Sequence, residues 1–262
     1  RKEAPNNPPV SANMTGLASV PSNGNCKLSS GTASGVTNSL AALSDRLIAV
    51  FGVKETEQNW QEMDEIIKTM TGIISSEPGE GNKGELQEIA WRCQYPLVAA
   101  LQTERTRLAL SAMELMAALS NVLRDSFDTL YDVYMPPLLR LSERANKVFN
   151  TKAQSVLLLM TANDPHRGCK YHVSRIAESL QSANKILRGT ASEMLLSIAK
   201  RNKRGCVESD THHLHAMIVE MTIKCLMDAQ PNVRQTGRLV FAELDEEQRG
   251  ELIQRVPLNV LK

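Results

Sequence analysis

The sequence predicts an all-α protein, a solenoid of stacked helical pairs, on three observations. From Gly35 onward apolar residues recur at spacings of three and four, with no run of period-two alternation. Aromatic residues make up 4% of the chain while Leu, Met, Ile and Ala are plentiful, a mixture that suits helix-on-helix packing and not a sheet. The helices also come in pairs, and the second member of each pair is expected to begin near Trp60, Thr106, Thr151, Arg188 and Gln235. The intervals of 46, 45, 37 and 47 residues are close to the roughly 40–47 of HEAT-type repeats. One helical pair cannot cover its own apolar face, so five stacked pairs share one continuous core. The expected domain is therefore a single α-solenoid over about 35–262.

Taken in order, residues 1–34 are rich in Pro, Asn, Ser and Gly, with isolated Met14, Leu17 and Val20. Such a stretch buries too little apolar surface to offset its ordering entropy and reads as a flexible low-complexity linker. Leu40, Leu43, Leu47 and Val50 then mark the first helix, and Met63, Ile66, Ile67, Met70 and Ile74 its partner. Leu108, Ala112, Leu115, Leu119 and Val122 mark a later second helix, while Leu214, Met217, Ile218, Met221 and Cys225 mark a first helix near the end. Pro136 and Pro137 are expected to kink or begin a first helix, because proline lacks an amide donor and clashes with the preceding turn. Linkers between pairs are placed at 75–84, 126–128, 162–168 and 201–210.

Composition excludes several function classes. A formal net charge of +1 gives no global field for nucleic acid or an anionic membrane. No apolar run approaches the roughly 20 residues that span a bilayer. The chain opens on Arg1, without an initiating Met or a signal peptide, and reads as a piece of a longer polypeptide. Cys26, Cys93, Cys169, Cys206 and Cys225 are scattered, odd in number and free of CxxC spacing, as reduced thiols of a cytosolic or nuclear protein would be.

Chemistry-bearing clusters are few. THHLH brings His212, His213 and His215 together with Cys206 upstream and Cys225 downstream, but a structural zinc site needs a second short-spaced ligand pair. The simpler reading is a helix start capped by Ser209 or Asp210, with surface histidines. Cys169 between His166 and His172 has no visible oriented base or oxyanion site. GEGNKG at 79–84 is neither a P-loop nor preceded by a strand. No enzyme, metal or cofactor is expected.

The turns within the pairs are more informative. They read VKETEQNW (53–60), QTERTR (102–107), RANKVFN (144–150), SANKILR (182–188) and QPNVRQ (230–235). Four offer Lys or Arg beside Asn or Thr, and the first offers Trp60. Cations at helix N-termini run against the macrodipole, so their repetition has no local stabilising reason and points to a partner bearing carboxylates.

A Trp opening the second helix of the first pair, followed by cationic turns in a HEAT stack of five to six pairs, resembles a TOG domain. The stretches ANKVFNTKAQSVL and AWRCQYPLVAAL…RTRLALSAMELMAALSNVL are similar to the CLASP family of microtubule-associated proteins, over roughly residues 38–258. The resemblance implies a non-catalytic module that binds the tubulin heterodimer or microtubule through its intra-pair turns and promotes rescue or suppresses catastrophe. It implies Trp60 as apolar anchor, then Thr103 and Arg105, then Asn146, Lys147 and Val148. Asn184 and Lys185 would serve the fourth turn, and Asn232, Arg234 and Arg238 the fifth. It also implies a monomeric domain located in the cytoplasm, on the cytoskeleton or mitotic spindle. Two departures stand out: five clear pairs where many TOG domains have six, with DEEQRGELIQRV in place of the last, and a fourth turn that is short and hydrophobic. The alternative expectation is a HEAT-repeat scaffold that grips a peptide or protein on its concave face.

Overall fold

The computed structural model describes residues 33–53, 55–76, 83–163, 169–202 and 211–261. Among these it is helical almost throughout, with no strand. Pair one is α1 (Ala33–Phe51) with α2 (Trp60–Ser76), and pair two is α3 (Lys83–Arg92) and α4 (Gln94–Gln102) with α5 (Thr106–Leu123). Pair three is α6 (Asp128–Ser142) with α7 (Lys147–Asn163), and pair four is α8 (Cys169–Ser179) with α9 (Lys185–Asn202). Pair five is α10 (Thr211–Leu226) with α11 (Pro231–Glu243). Two short helices follow, α12 (Glu246–Arg255) and α13 (Leu258–Leu261), where the sequence led us to expect a curtailed last repeat.

Each predicted apolar stripe faces the core. Met63, Ile66, Ile67, Met70 and Ile74 of α2 are all buried, as are Leu108, Ala112, Leu115 and Leu119 of α5. One hydrophobic cluster runs from Leu40 to Val256, so the pairs share a core as a stack of incomplete units must. Second helices pack in succession, α2 on α5, α5 on α7, α7 on α9 and α9 on α11. First helices form the other layer, with α1 on α3, α4 on α6 and α8 on α10.

Two local features set the stacking. The first helix of pair two is broken at Cys93, yet Cys93 N–H donates to Ile89 O and Leu97 N–H to Cys93 O, so the backbone ladder continues across the break. In pair three Tyr134 Oη donates to Ala90 O of α3 and Tyr131 Oη to Met160 O of α7. Tyr131 also meets the edge of His172 on α8, with ring centroids 4.0 Å apart. Buried tyrosines satisfy their hydroxyls while spanning three pairs.

Several boundaries differ from the sequence reading. Pro136 and Pro137 lie inside α6 and do not begin it. The expected linker at 126–128 is no linker: a 3-10 turn over Arg124–Phe127 leads straight into α6, with Arg124 at φ 45° turning the chain. The second helices of pairs three, four and five start at Lys147, Lys185 and Pro231, earlier than Thr151, Arg188 and Gln235. For the two ANK turns the reason is capping, since a helix begins directly after the side chain that accepts its first free amides. Helix α1 begins at Ala33. Residues 1–32, 54, 77–82, 164–168, 203–210 and 262 lie outside the described residues, and with them most of the expected linkers, the first four residues of GEGNKG (its Lys83 and Gly84 open α3), and Cys26, His166 and Cys206.

Candidate functional site

The stacking of the second helices lines up their N-termini, and with them the five intra-pair turns. Ion pairs tie turn one to turn two, turn two to turn three, and turn four to turn five. Arg105 of turn two bonds Glu55 at 2.7 Å and Glu57 at 2.6 Å in turn one. Arg144 of turn three lies 3.7 Å from Glu104 of turn two. Arg188 of turn four grips Asp228 before turn five with one edge of its guanidinium, Nε and Nη2 donating at 2.7 and 3.3 Å. The turns thus form a strip along one edge.

Turns one and two are joined around an aromatic ring. Trp60, the first residue of α2, is partly buried against the core. The Arg105 guanidinium carbon sits 5.1 Å from its ring centroid and that of Arg107 at 6.0 Å, both within cation–π range. Arg107 also donates to Asp64 at 2.6 Å. Asp64 is fully buried and further accepts from Ser111 at 2.6 Å and Lys68 at 2.9 Å. Burial pushes its carboxyl up, but the bonds from Ser111 and Lys68 and the charges of Lys68 and Arg107 outweigh this and hold it below the ordinary range. Glu57 is likewise held down by its bond to Arg105.

The turn arginines, expected to lack a local reason, have one, beyond the pairs of Arg107 and Arg144 already described. Arg105 is neutralised by two carboxylates. Arg188 donates to the carbonyls of Ser182 and Ala183, six and five residues back, and Arg234 does the same to Asp228 and Ala229. Both arginines hold the fourth position of their helix, and Asn150, fourth in α7, donates to Ser142 O. These side chains start at one helix N-terminus but deliver their donors to carbonyls at or just past the C-terminus of the preceding helix, where the dipole favours the cationic arginines. The macrodipole argument holds, applied to the neighbouring helix end.

Turns three and four are built differently from the others and alike to each other. Asn146 Oδ1 accepts from Val148 N–H at 3.0 Å, and Asn184 Oδ1 from Ile186 N–H at 2.9 Å, so both asparagines are helix N-caps. The following residues alternate sharply: Val148 is 52% and Ile186 39% exposed, whereas Phe149 and Leu187 beside them are buried. Lys147 and Lys185 are exposed and form no ion pair among the described residues. Each ANK turn therefore presents an uncommitted ammonium next to an uncovered aliphatic side chain.

The remaining expected residues take other positions. Thr103 is buried and accepts from Arg105 N–H at 3.2 Å, shaping turn two. Asn232 is exposed at turn five, beside Gly189 of α9. Arg238, a turn further along α11, donates to Val260 O of α13. The sequence reading missed three side chains of the strip: exposed Val53 in turn one, Ile186 in turn four and Met227 before turn five. A signal for Ile186 was present, since Ala-Asn-Lys followed by two apolar residues occurs at both 145–149 and 183–187. No group of three His, Cys, Asp or Glu side chains among the described residues is arranged to hold a metal, and no helix among them is long and apolar enough to cross a membrane.

Known proteins share this architecture. Protein STU1 of Candida albicans is 23% identical over 232 residues, covering 86% of this chain and 18% of that protein. Protein STU1 of Debaryomyces hansenii is 22% identical over 234 residues, 85% of this chain and 15% of its own length. The chain thus spans less than a fifth of either relative. A structure solved in work on tubulin recruitment and assembly by microtubule polymerases with tumor overexpressed gene (TOG) domain arrays matches with a TM-score of 0.57 at 15% identity. That match covers 78% of this chain and 42% of the other. Crescerin, described as using a TOG domain array to regulate microtubules in the primary cilium, matches with a TM-score of 0.54 at 11% identity, over 84% and 85% of the two chains. The family model described as CLASP N terminal matches residues 40–251, most of the chain, and with the five-pair stack and its ordered turns this makes the protein a TOG-type member of the CLASP N-terminal family.

Proposed function

We propose that this domain is a non-catalytic tubulin-binding module that contacts the αβ-heterodimer along the strip of intra-pair turns. The observation that carries the reading is the pairing, at turns three and four, of an uncommitted lysine with an exposed aliphatic residue on a rigid, capped helix start. An apolar anchor that excludes water around a charge pair is the arrangement from which interface energy comes. Val53 and Met227 extend the apolar contact to the ends of the strip. The neighbour from work on tubulin recruitment by TOG domain arrays supports the same partner.

Within this proposal the site residues divide by task. Lys147, Val148, Lys185 and Ile186 make the contacts, and Asn232 joins them at turn five. Trp60, Thr103, Arg105, Asn146, Asn184 and Arg234 hold the turns in place, with Trp60 and Arg105 also offering an exposed edge. Arg238 acts on α13. A strip of fixed geometry favours whichever tubulin curvature it fits, which shifts that equilibrium by differential affinity alone. Rescue or catastrophe suppression, residence on the cytoskeleton and spindle, a monomeric domain and a linker role for residues 1–34 belong to this proposal. The scaffold reading is less favoured: the outward residues of the second helices, among them Gln61, Glu65, Glu114, Thr151, Ser155 and Glu193, make no ladder of Asn or Trp for a peptide backbone.

The test is size-exclusion co-elution with unpolymerised tubulin, beside microtubule co-pelleting, at two salt concentrations. Lys147→Ala with Lys185→Ala is expected to abolish co-elution and its salt dependence, and Val148→Ser with Ile186→Ser to weaken it without changing salt dependence. Unchanged binding in both double variants, with helical content intact, would overturn the assignment of this edge.

A further inference from the structure

The outward face of α3 and α4 carries a second exposed patch, on the first-helix layer and away from the turns. Trp91 is 48% and Tyr95 76% exposed. They lie four residues apart on a backbone ladder that continues through Cys93, so both rings share one helical face. Glu88, three residues before Trp91, continues that face, and Glu85 stands one turn earlier. Both glutamates are exposed and form no ion pair among the described residues. The cation beside them, Arg92, is already committed to Asp45 of α1, an aspartate that itself stays largely exposed. Ile48, one turn on from Asp45 along α1, is a further exposed apolar residue.

Large aromatic side chains seldom stand this far into solvent without a partner, and neither ring contributes to the core. Their surroundings select the chemistry of that partner. Two uncompensated carboxylates beside two open π-faces attract a guanidinium or ammonium and repel an anionic surface. We propose that Glu85, Glu88, Trp91 and Tyr95 form a docking surface for an extended, arginine- or lysine-bearing segment of a partner protein. This surface has the opposite charge preference to the turn strip, whose free groups are lysines. The two surfaces lie on different layers of the stack, so the domain holds an acidic partner on one and a basic segment on the other. The inference does not depend on what binds the strip.

The test uses fluorescence anisotropy of a labelled octa-arginine peptide on the intact chain, with tubulin co-elution measured in parallel. The substituted side chains are all exposed, and circular dichroism verifies the fold. Trp91→Ser with Tyr95→Ser, and separately Glu85→Gln with Glu88→Gln, are each expected to weaken peptide binding about tenfold, as loss of central anchors does. Glu246→Gln with Glu247→Gln on α12, an equal change in net charge, is expected to leave it unchanged, as is Lys147→Ala with Lys185→Ala. Equal weakening by the α12 control would show a general charge effect and overturn the proposal, as would unaltered binding in the Trp91/Tyr95 variant. Concentration-dependent self-association that disappears in the Trp91/Tyr95 variant would overturn it in favour of a second copy of this chain.

Discussion

Arg105 of turn two lies over the ring of Trp60 in turn one, its guanidinium carbon 5.1 Å from the centroid, while the same group bonds Glu55 and Glu57. One arginine thereby closes turn one against turn two and spends its charge inside the protein. Removing the acids should release that charge. Glu55→Gln with Glu57→Gln is expected to strengthen tubulin binding about fivefold at low salt, by adding a free cation to the strip. The gain should vanish in the Arg105→Ala background, and a binding isotherm at two salt concentrations reads both effects.

The Asp64 carboxylate, fully buried, is the point where Ser111, Lys68 and Arg107 meet. Asp64→Ala leaves the Ser111 hydroxyl buried without its acceptor, whereas Lys68 and Arg107 are partly exposed and regain water. The expected cost is about 2 kcal/mol, near the desolvation penalty of one buried group and below that of a fully buried ion pair. Urea unfolding gives the value, and Asp64→Asn should fall between the variant and the wild type.

His172 is buried against Tyr131, and burial, with the charge of Arg201, pushes its imidazole down from 6.5 to about 3. The unfolded chain therefore binds a proton below pH 6.5 that the folded chain refuses until about pH 3. Stability is full above 6.5 and falls as pH drops through this window, by up to about 1.4 kcal/mol per unit. Asp64 and Asp228, whose carboxyls are held below the ordinary 3.8, add their loss only under more acidic conditions. His172→Phe should flatten the dependence of the unfolding midpoint between pH 6.5 and 4.5, measured by thermal unfolding.

Two helical glycines make an internal control for packing. A Cβ on Gly237 would stand 2.9 Å from both Cys225 Cβ and Leu226 N, so α11 approaches the backbone of α10 with no room for a methyl group. A Cβ on Gly72 of α2 meets nothing within 4 Å. Gly72→Ala is expected to stabilise by up to about 1 kcal/mol through helix propensity. Gly237→Ala should destabilise by about 1–2 kcal/mol, the overpacking of a backbone contact outweighing the same propensity gain. Denaturation midpoints of the two variants should move in opposite directions.

Much of the fold was legible because helical periodicity is a local property. The stripe of Met63, Ile66, Ile67, Met70 and Ile74 needs no neighbour to declare which face is apolar, and all five are buried. Spacing between pairs was legible as well, because each repeat must present the same face to the next. Helix starts were read late at turns three and four because Asn146 and Asn184 looked like turn residues. They are caps, and a cap belongs to the helix it begins.

Sequence alone thus determined the element type, the pairing of helices and the places where turns fall, since each depends on residues within a few positions. Which turn cations are free was decided by tertiary structure. Arg105 meets Glu55 and Glu57 across about fifty residues and Arg188 meets Asp228 across forty, while Lys147 and Lys185 meet no acid among the described residues. The physical reason is that charge pairing acts through space over a few ångströms, and only stacking brings one repeat's turn within that distance of the next.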